Sequence, residues 1–351
     1  MQERIVRPDE AGQRLEKYIK RKLPLAETSF VYRMLRRKNI KVNGGKADAS
    51  SKVGAGDVVT FYLSDETFAK FGGKLQTEGA SSGRQEQLCA SLVKKRRAAE
   101  TAFEELSRRY RTLRVVYEDE NILAANKPAG LLSQKASERD VSLNEWFLGY
   151  LFQTGFLTED SLTEFTPSVM NRLDRNTSGL VLCAKTLAGS RMLAELLRER
   201  TLRKYYHMIV CGKLEQEQVI EGYLSKDERS NTVRIFQEAV PGAGYTKTIL
   251  KPLKSVRFQG QEITLAEAEL VTGKTHQLRA HLQYIGHPIL GDPKYGDPAL
   301  NKAAAGLGVR HQLLCCVRVE FPRTKAPFDD LSGRIISIRP PAVFDTIPED
   351  S

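Results

Sequence analysis

Positive charge is gathered at one end of this chain, which limits it to folds with two unlike parts. Residues 1–63 hold fourteen Lys and Arg against seven Asp and Glu, a surplus of seven out of the +11 carried by all 351 residues. The asymmetry predicts a small basic module joined to a larger, nearly neutral body, and 351 residues suffice for two domains. A surplus of this sign suits a polyanion, either nucleic acid or an anionic membrane face; the plain alternative is a solvated basic surface. Hydrophobic residues make up 41% and charged residues 28%, enough for a packed core and too apolar for wholesale disorder. No apolar run approaches the ~18 residues that span a bilayer; Leu180-Val181-Leu182-Cys183-Ala184 is a strand-length piece. Met1-Gln2-Glu3-Arg4 opens without a signal-peptide core. Cys89, Cys183, Cys211, Cys315 and Cys316 show no Cys-x-x-Cys spacing, so neither a disulfide framework nor a zinc ribbon is expected. The expectation is a soluble, reduced, cytoplasmic protein with no membrane partner.

Within the basic end, Leu15, Tyr18, Ile19 and Leu23 recur at helical spacing until Pro24, and a second helix is predicted from Glu27 to Lys38 with Phe30, Val31, Met34 and Leu35 inward. Its outer face carries Arg33, Arg36, Arg37 and Lys38, continued by Lys41. Short strands follow at Ile40 to Val42 and Asp57 to Leu63, around the turn Asn43-Gly44-Gly45. Two helices and a small β unit, with cations along one helix, suit the phosphates of structured RNA. The order Arg14-Leu15, Val31 to Ile40, Val42-Asn43-Gly44 and Gly56-Asp57 resembles the RNA-binding module named after ribosomal protein S-four. That resemblance implies an RNA partner and leaves the reaction open.

Residues 1–64 are assigned to this module, 65–112 to a charged helical linker and 113–351 to the larger body. In the linker, Gly72-Gly73 and Gly79-Ala80-Ser81-Ser82-Gly83 read as flexible, and the stretch from Gln85 to Arg111 as helix-prone. Lys94-Lys95-Arg96-Arg97 and Arg108-Arg109 fit either RNA contact or a solvated helix face. In the body, strands at Leu113–Tyr117 and Ile122–Ala125 precede the loop Asn126-Lys127-Pro128-Ala129-Gly130. Helix and strand signals then intermingle without a regular βαβ repeat. The fold class expected is α+β, a mixed and largely antiparallel sheet with flanking helices, plus the small N-terminal domain.

Three segments of the body carry chemistry. In Asn171-Arg172-Leu173-Asp174-Arg175-Asn176-Thr177-Ser178-Gly179-Leu180, a carboxylate sits between two arginines in a turn-prone stretch just before an apolar strand. Such an Asp stays ionised at a strand mouth, since neighbouring cations favour the anion, although most loop aspartates only cap turns. Arg203-Lys204-Tyr205-Tyr206-His207-Met208-Ile209-Val210-Cys211 alternates as a strand whose one face presents a tyrosine; this is either core filler or a ring able to stack on a base. Val271-Thr272-Gly273-Lys274-Thr275-His276-Gln277-Leu278-Arg279-Ala280-His281 contains Gly-Lys-Thr, but the glycine a phosphate-binding loop needs five residues earlier is Ala268. His276 and His281 are five apart and not at the i,i+4 spacing of helical zinc sites, so no metal is expected. The remaining reading is a turn into a short helix that delivers Arg279, a planar cation able to grip a carboxylate or phosphate.

These three segments, in this order, together with Asn126-Lys127-Pro128-Ala129-Gly130 and Gly286-His287-Pro288-Ile289-Leu290-Gly291-Asp292, resemble the RluA-type pseudouridine synthases. The similarity runs from about Leu113 to Phe321. It implies that Asp174 is the catalytic aspartate, Tyr206 the tyrosine against the target base and Arg279 the partner of the aspartate, with Arg172 holding RNA. One position departs from the family pattern: Asn171 stands where a histidine is common.

The implied reaction breaks a uridine N1–C1′ bond, turns the uracil and rejoins it through carbon 5. No atoms enter or leave, so no cofactor, metal or ATP is implied. Asp174 would attack C1′ or take a sugar proton; either route needs an ionised carboxylate beside a cation. A stacked base must also be flipped out, at a cost of a few kcal/mol. The resemblance implies structured RNA, ribosomal RNA foremost, as the partner, and a monomer as the acting form. Two rivals stand beside this reading: an inactive ribosome-associated RNA-binding protein and a small-molecule glycosidic-bond hydrolase. The basic N-terminal module counts against the hydrolase.

Overall fold

The computed structural model describes residues 1–73, 83–227 and 232–346. The predicted flexible stretch at Gly79 to Ser82 lies outside the described residues. Two compact units are present. One comprises Met1–Glu105, Glu145–Ser168 and Ala184–Arg191; the other comprises Leu106–Asn144, Val169–Cys183 and Met192–Ser351.

In the first unit, β1 (Gln2–Ile5), α1 (Leu15–Lys22), α2 (Thr28–Arg36), β2 (Ile40–Val42) and β3 (Val58–Phe61) form the N-terminal module, with an antiparallel sheet ordered β1-β3-β2. The helical repeat of apolar residues is the packing surface: Leu15, Tyr18 and Ile19 of α1 meet Phe30, Val31, Met34 and Leu35 of α2 over Ile40, Val59 and Phe61. Burying one stripe of each helix leaves Arg33, Arg36, Arg37 and Lys38 exposed on the other side. The short helix α3 (Asp65–Lys70) is capped by Ser64, whose hydroxyl accepts the Thr67 N–H at 3.2 Å. It drives Phe68 into the same core.

Gly72-Gly73 differs from the flexible linker expected. Gly73 donates its N–H to the Phe68 carbonyl at 3.0 Å, and a Cβ there would stand 2.3 Å from the Phe68 ring. Glycine is needed here because the chain passes directly over an aromatic ring, a packing demand that composition does not reveal. The long helix α4 (Gly83–Arg109) occupies the helix-prone stretch. Within the basic run on it, Arg96 is committed to Glu100 at 2.8 Å and Glu159 at 3.0 Å. Glu159 opens α6 (Glu159–Glu164), which follows α5 (Leu143–Gln153).

The second unit is built on a sheet of eleven strands among the described residues. Its strands are β4 (Arg114–Glu118), β5 (Ile122–Lys127), β6 (Ser168–Val169), β7 (Ser178–Ala184), β8 (Arg203–Cys211), β9 (Gln218–Asp227), β10 (Thr232–Phe236), β11 (Gly244–Phe258), β12 (Gln261–Leu270), β13 (Leu314–Glu320) and β14 (Ile335–Ser337). The main path runs β10-β9-β11-β12-β8-β13-β7-β5-β4. Neighbours from β10 to β13 are antiparallel, whereas β13 and β7 run parallel. The fold is therefore α+β with a mixed, largely antiparallel sheet, as the intermingled signals predict. β7 is buried at every residue, which explains why Leu180–Ala184 reads as an unbroken apolar run and not as an alternating one. Helices α7 (Leu187–Glu199), α8 (Gln277–Tyr284) and α9 (Pro298–Ala305) complete the chain. Among the described residues no helix is long and apolar enough to cross a membrane.

Candidate active site

Asp174 lies on the loop entering β7, and the loop is fastened from several sides. The Thr177 N–H closes a turn on the Asp174 carbonyl at 3.0 Å. Ser133 accepts the Leu173 N–H at 3.0 Å, and its hydroxyl donates to the Leu173 carbonyl at 2.8 Å. Asn171 accepts the Leu182 N–H at 2.7 Å, tying the approach of the loop to the middle of β7. Lys127, fully buried at the end of β5, donates to the carbonyls of Pro128, Leu131 and Arg175 at 3.0, 2.7 and 3.1 Å. Three N–H donors meeting three carbonyls make a cage that joins β5 to the residue after Asp174. Burial pulls the Lys127 pKa down to about 7, with the Asp174 charge opposing.

Arg279 arrives from the first turn of α8. The turn before it is held by the buried Gln277 amide, which accepts from Thr272 at 2.8 Å and from the Lys274 N–H at 3.1 Å and donates to the Lys247 carbonyl at 3.1 Å. The Gly-Lys-Thr-His segment thus serves to aim a helix. Arg279 Nη1 donates to Asp174 Oδ2 at 3.2 Å, while Nε and Nη2 form a two-pronged pair with Asp292 at 2.7 and 2.9 Å. Burial works against the Arg279 charge, and the two carboxylates, Asp292 foremost, more than offset it, so its pKa is raised. For Asp292, which is wholly buried, burial works toward protonation. Arg279 and the backbone N–H groups of Lys294 and Tyr295 outweigh that and hold its carboxyl below the usual range.

Above this pair lies a cavity of about 1170 Å³ lined by Asp174, Arg172, Tyr206, His276 and Arg279. Its wall also carries Lys135, Arg175, Arg198, Arg200, Lys204, Lys226 and Lys274, and among the described lining residues Asp174 is the one carboxylate. The volume exceeds the range usual for small-molecule pockets, and the cationic lining suits a run of phosphates. Tyr206, on β8, is 4% exposed, and burial together with Cys316 and Asp174 raises its pKa well above the ordinary value. It is therefore a neutral, rigid ring on the cavity wall. Tyr205 points to the other face of the strand, where its hydroxyl reaches Glu320 at 3.4 Å.

The structure thus brings together Arg172 and Asp174, Tyr206, and Arg279 from three separate stretches of chain. Arg33, Arg36, Arg37, Lys38 and Lys41 form a separate group on the N-terminal module, where Lys41 also stands over the Tyr62 ring at 4.9 Å. Sequence reasoning assigned no role to Lys127, Ser133, Asp292 or Tyr295. Asp292 had a signal, since an Asp inside Gly-Asp-Pro-Lys-Tyr-Gly has to bury its charge against a cation if the turn packs inward. Among the described residues no group of three or more His, Cys, Asp or Glu is placed to hold a metal ion.

Comparison with known proteins assigns the class. Residues 121–284 match the family model described as RNA pseudouridylate synthase, and residues 13–59 match the S4 domain. The chain belongs to the RNA pseudouridylate synthase family, a group of isomerases, and carries an S4 domain ahead of its catalytic part. Its relatives include the ribosomal large subunit pseudouridine synthase C of Pasteurella multocida, 31% identical over 93% of this chain and 90% of that protein. The protein of the same name from Vibrio cholerae is 30% identical over 89% and 86%. Among solved structures, human RNA pseudouridylate synthase domain containing 4 aligns at 20% identity over 71% of this chain and 94% of that chain, with a TM-score of 0.49.

Proposed function

We propose that this protein converts specific uridines of large-subunit ribosomal RNA to pseudouridine, with Asp174 as the reacting carboxylate. The observation that carries the reading is the Asp174–Arg279 pair at 3.2 Å on the floor of a large cavity whose other charged lining groups are cationic. The guanidinium holds the carboxylate at the cavity floor, and an ionised carboxylate in a fixed position is what attack on C1′ and removal of a sugar proton both require. Glycoside hydrolysis usually needs a second carboxylate to serve water, and the described lining offers none. Tyr206 would stack against the flipped uracil, and Arg172 would hold a neighbouring phosphate. The domain reading is that residues 1–64 grip structured RNA through Arg33, Arg36, Arg37, Lys38 and Lys41, while 65–112 link them to a catalytic part at 113–351. The large-subunit target rests on the names of the relatives, and the protein is read as acting in the cytoplasm alongside that RNA.

Pseudouridine mapping across total RNA, with and without the gene, tests the reading. Loss of one or a few modified ribosomal positions is expected, restored by the wild-type protein and not by Asp174→Ala. Restoration by Asp174→Ala would overturn the assignment.

A further inference from the structure

His276 holds an unusual place beside the carboxylate. It is the residue before α8, in the left-handed region at φ 54°, and its side chain makes no hydrogen bond that caps the helix. A side chain released from capping, on a backbone that is uncommon outside glycine, points to a task elsewhere. Its ring lines the cavity and faces a polar group at both nitrogens: Nδ1 is 3.0 Å from the Tyr295 hydroxyl, and Nε2 is 3.8 Å from Asp174 Oδ2. Tyr295 itself already accepts the Val233 N–H at 3.0 Å. A phenol that is accepting from a backbone amide has its proton left to give, and His276 Nδ1 is the acceptor within reach.

We propose that Tyr295 locks His276 as the neutral tautomer protonated on Nε2, making His276 a positioning residue that steadies Asp174 Oδ2 and leaves Oδ1 to meet the substrate. Arg279 Nη1 lies on that same oxygen at 3.2 Å, so both donors converge on Oδ2. The 3.8 Å gap is too long for a hydrogen bond in the free site and closes to one when RNA expels water from the cavity. A neutral donor fixes the geometry of the carboxylate without adding a second full charge that would blunt its reactivity. The groups facing the ring are Asp174 from its loop, Arg279 from α8, and Asp292, Lys294 and Tyr295 from the segment after the helix. Burial, helped by Arg279 and Lys294 and opposed by Asp174, keeps the ring's proton affinity below that of a free histidine. The inference rests on the reading of Asp174 as the reacting group.

Single-turnover kinetics on the RNA identified by mapping, followed across pH, test it. His276→Ala is expected to lower the rate of the chemical step about 10- to 100-fold, the worth of a hydrogen bond to a charged group, with RNA affinity unchanged. His276→Gln retains an N–H donor that does not titrate, so it should recover most of that loss. It should also abolish the fall in rate that wild type shows when acid protonates Nδ1 and sets a second cation beside Asp174. Tyr295→Phe removes the hydrogen bond that favours the neutral ring, so the acid limb should move to higher pH. An active wild type with His276→Ala equally fast, or with His276→Gln as slow as Ala and the same acid limb in every variant, overturns this inference alone. A wild type that forms no pseudouridine in any RNA overturns the function reading instead.

Discussion

Arg279 gives two of its three carboxylate hydrogen bonds to Asp292 and one to Asp174. The buried Asp292 therefore fixes the plane of the guanidinium, and the cavity-facing Asp174 receives its remaining edge. This division suits the role proposed for Asp174: a cation bound wholly by that carboxylate would neutralise it, and one without an anchor would not stay in place.

Asp292→Asn is expected to cost stability and rate together. Removing the buried partner leaves the Arg279 charge with only the half-buried Asp174 to offset it, a loss of about 3 kcal/mol. The unanchored guanidinium should shift onto Asp174 and slow the chemical step at least about tenfold, in line with removal of a charged hydrogen bond. Urea unfolding and single-turnover assays measure the two effects. An unchanged rate would show that Asp292 serves the fold alone.

The Lys127 cage gives a stability that depends on pH. Its folded pKa is about 7, against the ordinary lysine value of 10.5. Between these values the unfolded chain binds more protons than the folded one, so stability rises as pH rises through the window and is lost on the way down. Lys127→Met should flatten that rise. It should also destabilise the protein by about 3 kcal/mol, because three buried carbonyls lose their donor. Unfolding midpoints at pH 6.5, 8 and 9.5 for both proteins check the sign.

On the N-terminal module, Arg36, Arg37, Lys38 and Lys41 make no ion pair among the described residues. Replacing each by alanine should weaken RNA binding and lower the slope of log affinity against log salt by about 0.7–0.9 for every phosphate no longer neutralised. The chemical step at saturating RNA should be unaffected. Binding titrations from low to moderate salt measure this, and an unchanged slope places the RNA elsewhere.

Gly179 is the second residue of β7, directly beside β13. Its φ is +116°, and a Cβ there would stand 2.3 Å from the Cys316 carbonyl oxygen and 2.4 Å from the Cys316 nitrogen. Gly179→Ala must push two paired strands apart next to the Asp174 loop. A destabilisation on the order of 3 kcal/mol, at the upper end for overpacking, is expected by chemical unfolding.

Much of the local structure is legible in the order of residues. The apolar spacing of Leu15, Tyr18 and Ile19 and the unbroken run of β7 mark their elements because an amphipathic helix and a fully buried strand each leave their own pattern, whereas β8, read as alternating, is buried on both faces from Met208 to Cys211. The departure at Asn171 is visible too, but its meaning is not. Its side chain takes over the Leu182 N–H, an interaction with a strand eleven residues ahead. Gly72-Gly73 misleads because glycine in a sequence signals freedom and close approach alike, and only the Phe68 ring beneath it tells them apart.

The sequence by itself determined which residues have the right chemistry: an acid between arginines, a tyrosine in an alternating strand, an arginine at a helix start and a block of cations at one end. Tertiary structure alone decided how those groups pair. Asp174 and Arg279 are 105 residues apart, and Asp292, His276 and Tyr295 come into contact with them or with each other only when α8 and the segment after it fold onto the β7 loop. Charge and hydrogen bonding act over a few ångströms of space, and distance along a chain fixes such separations only within a helix turn or a strand.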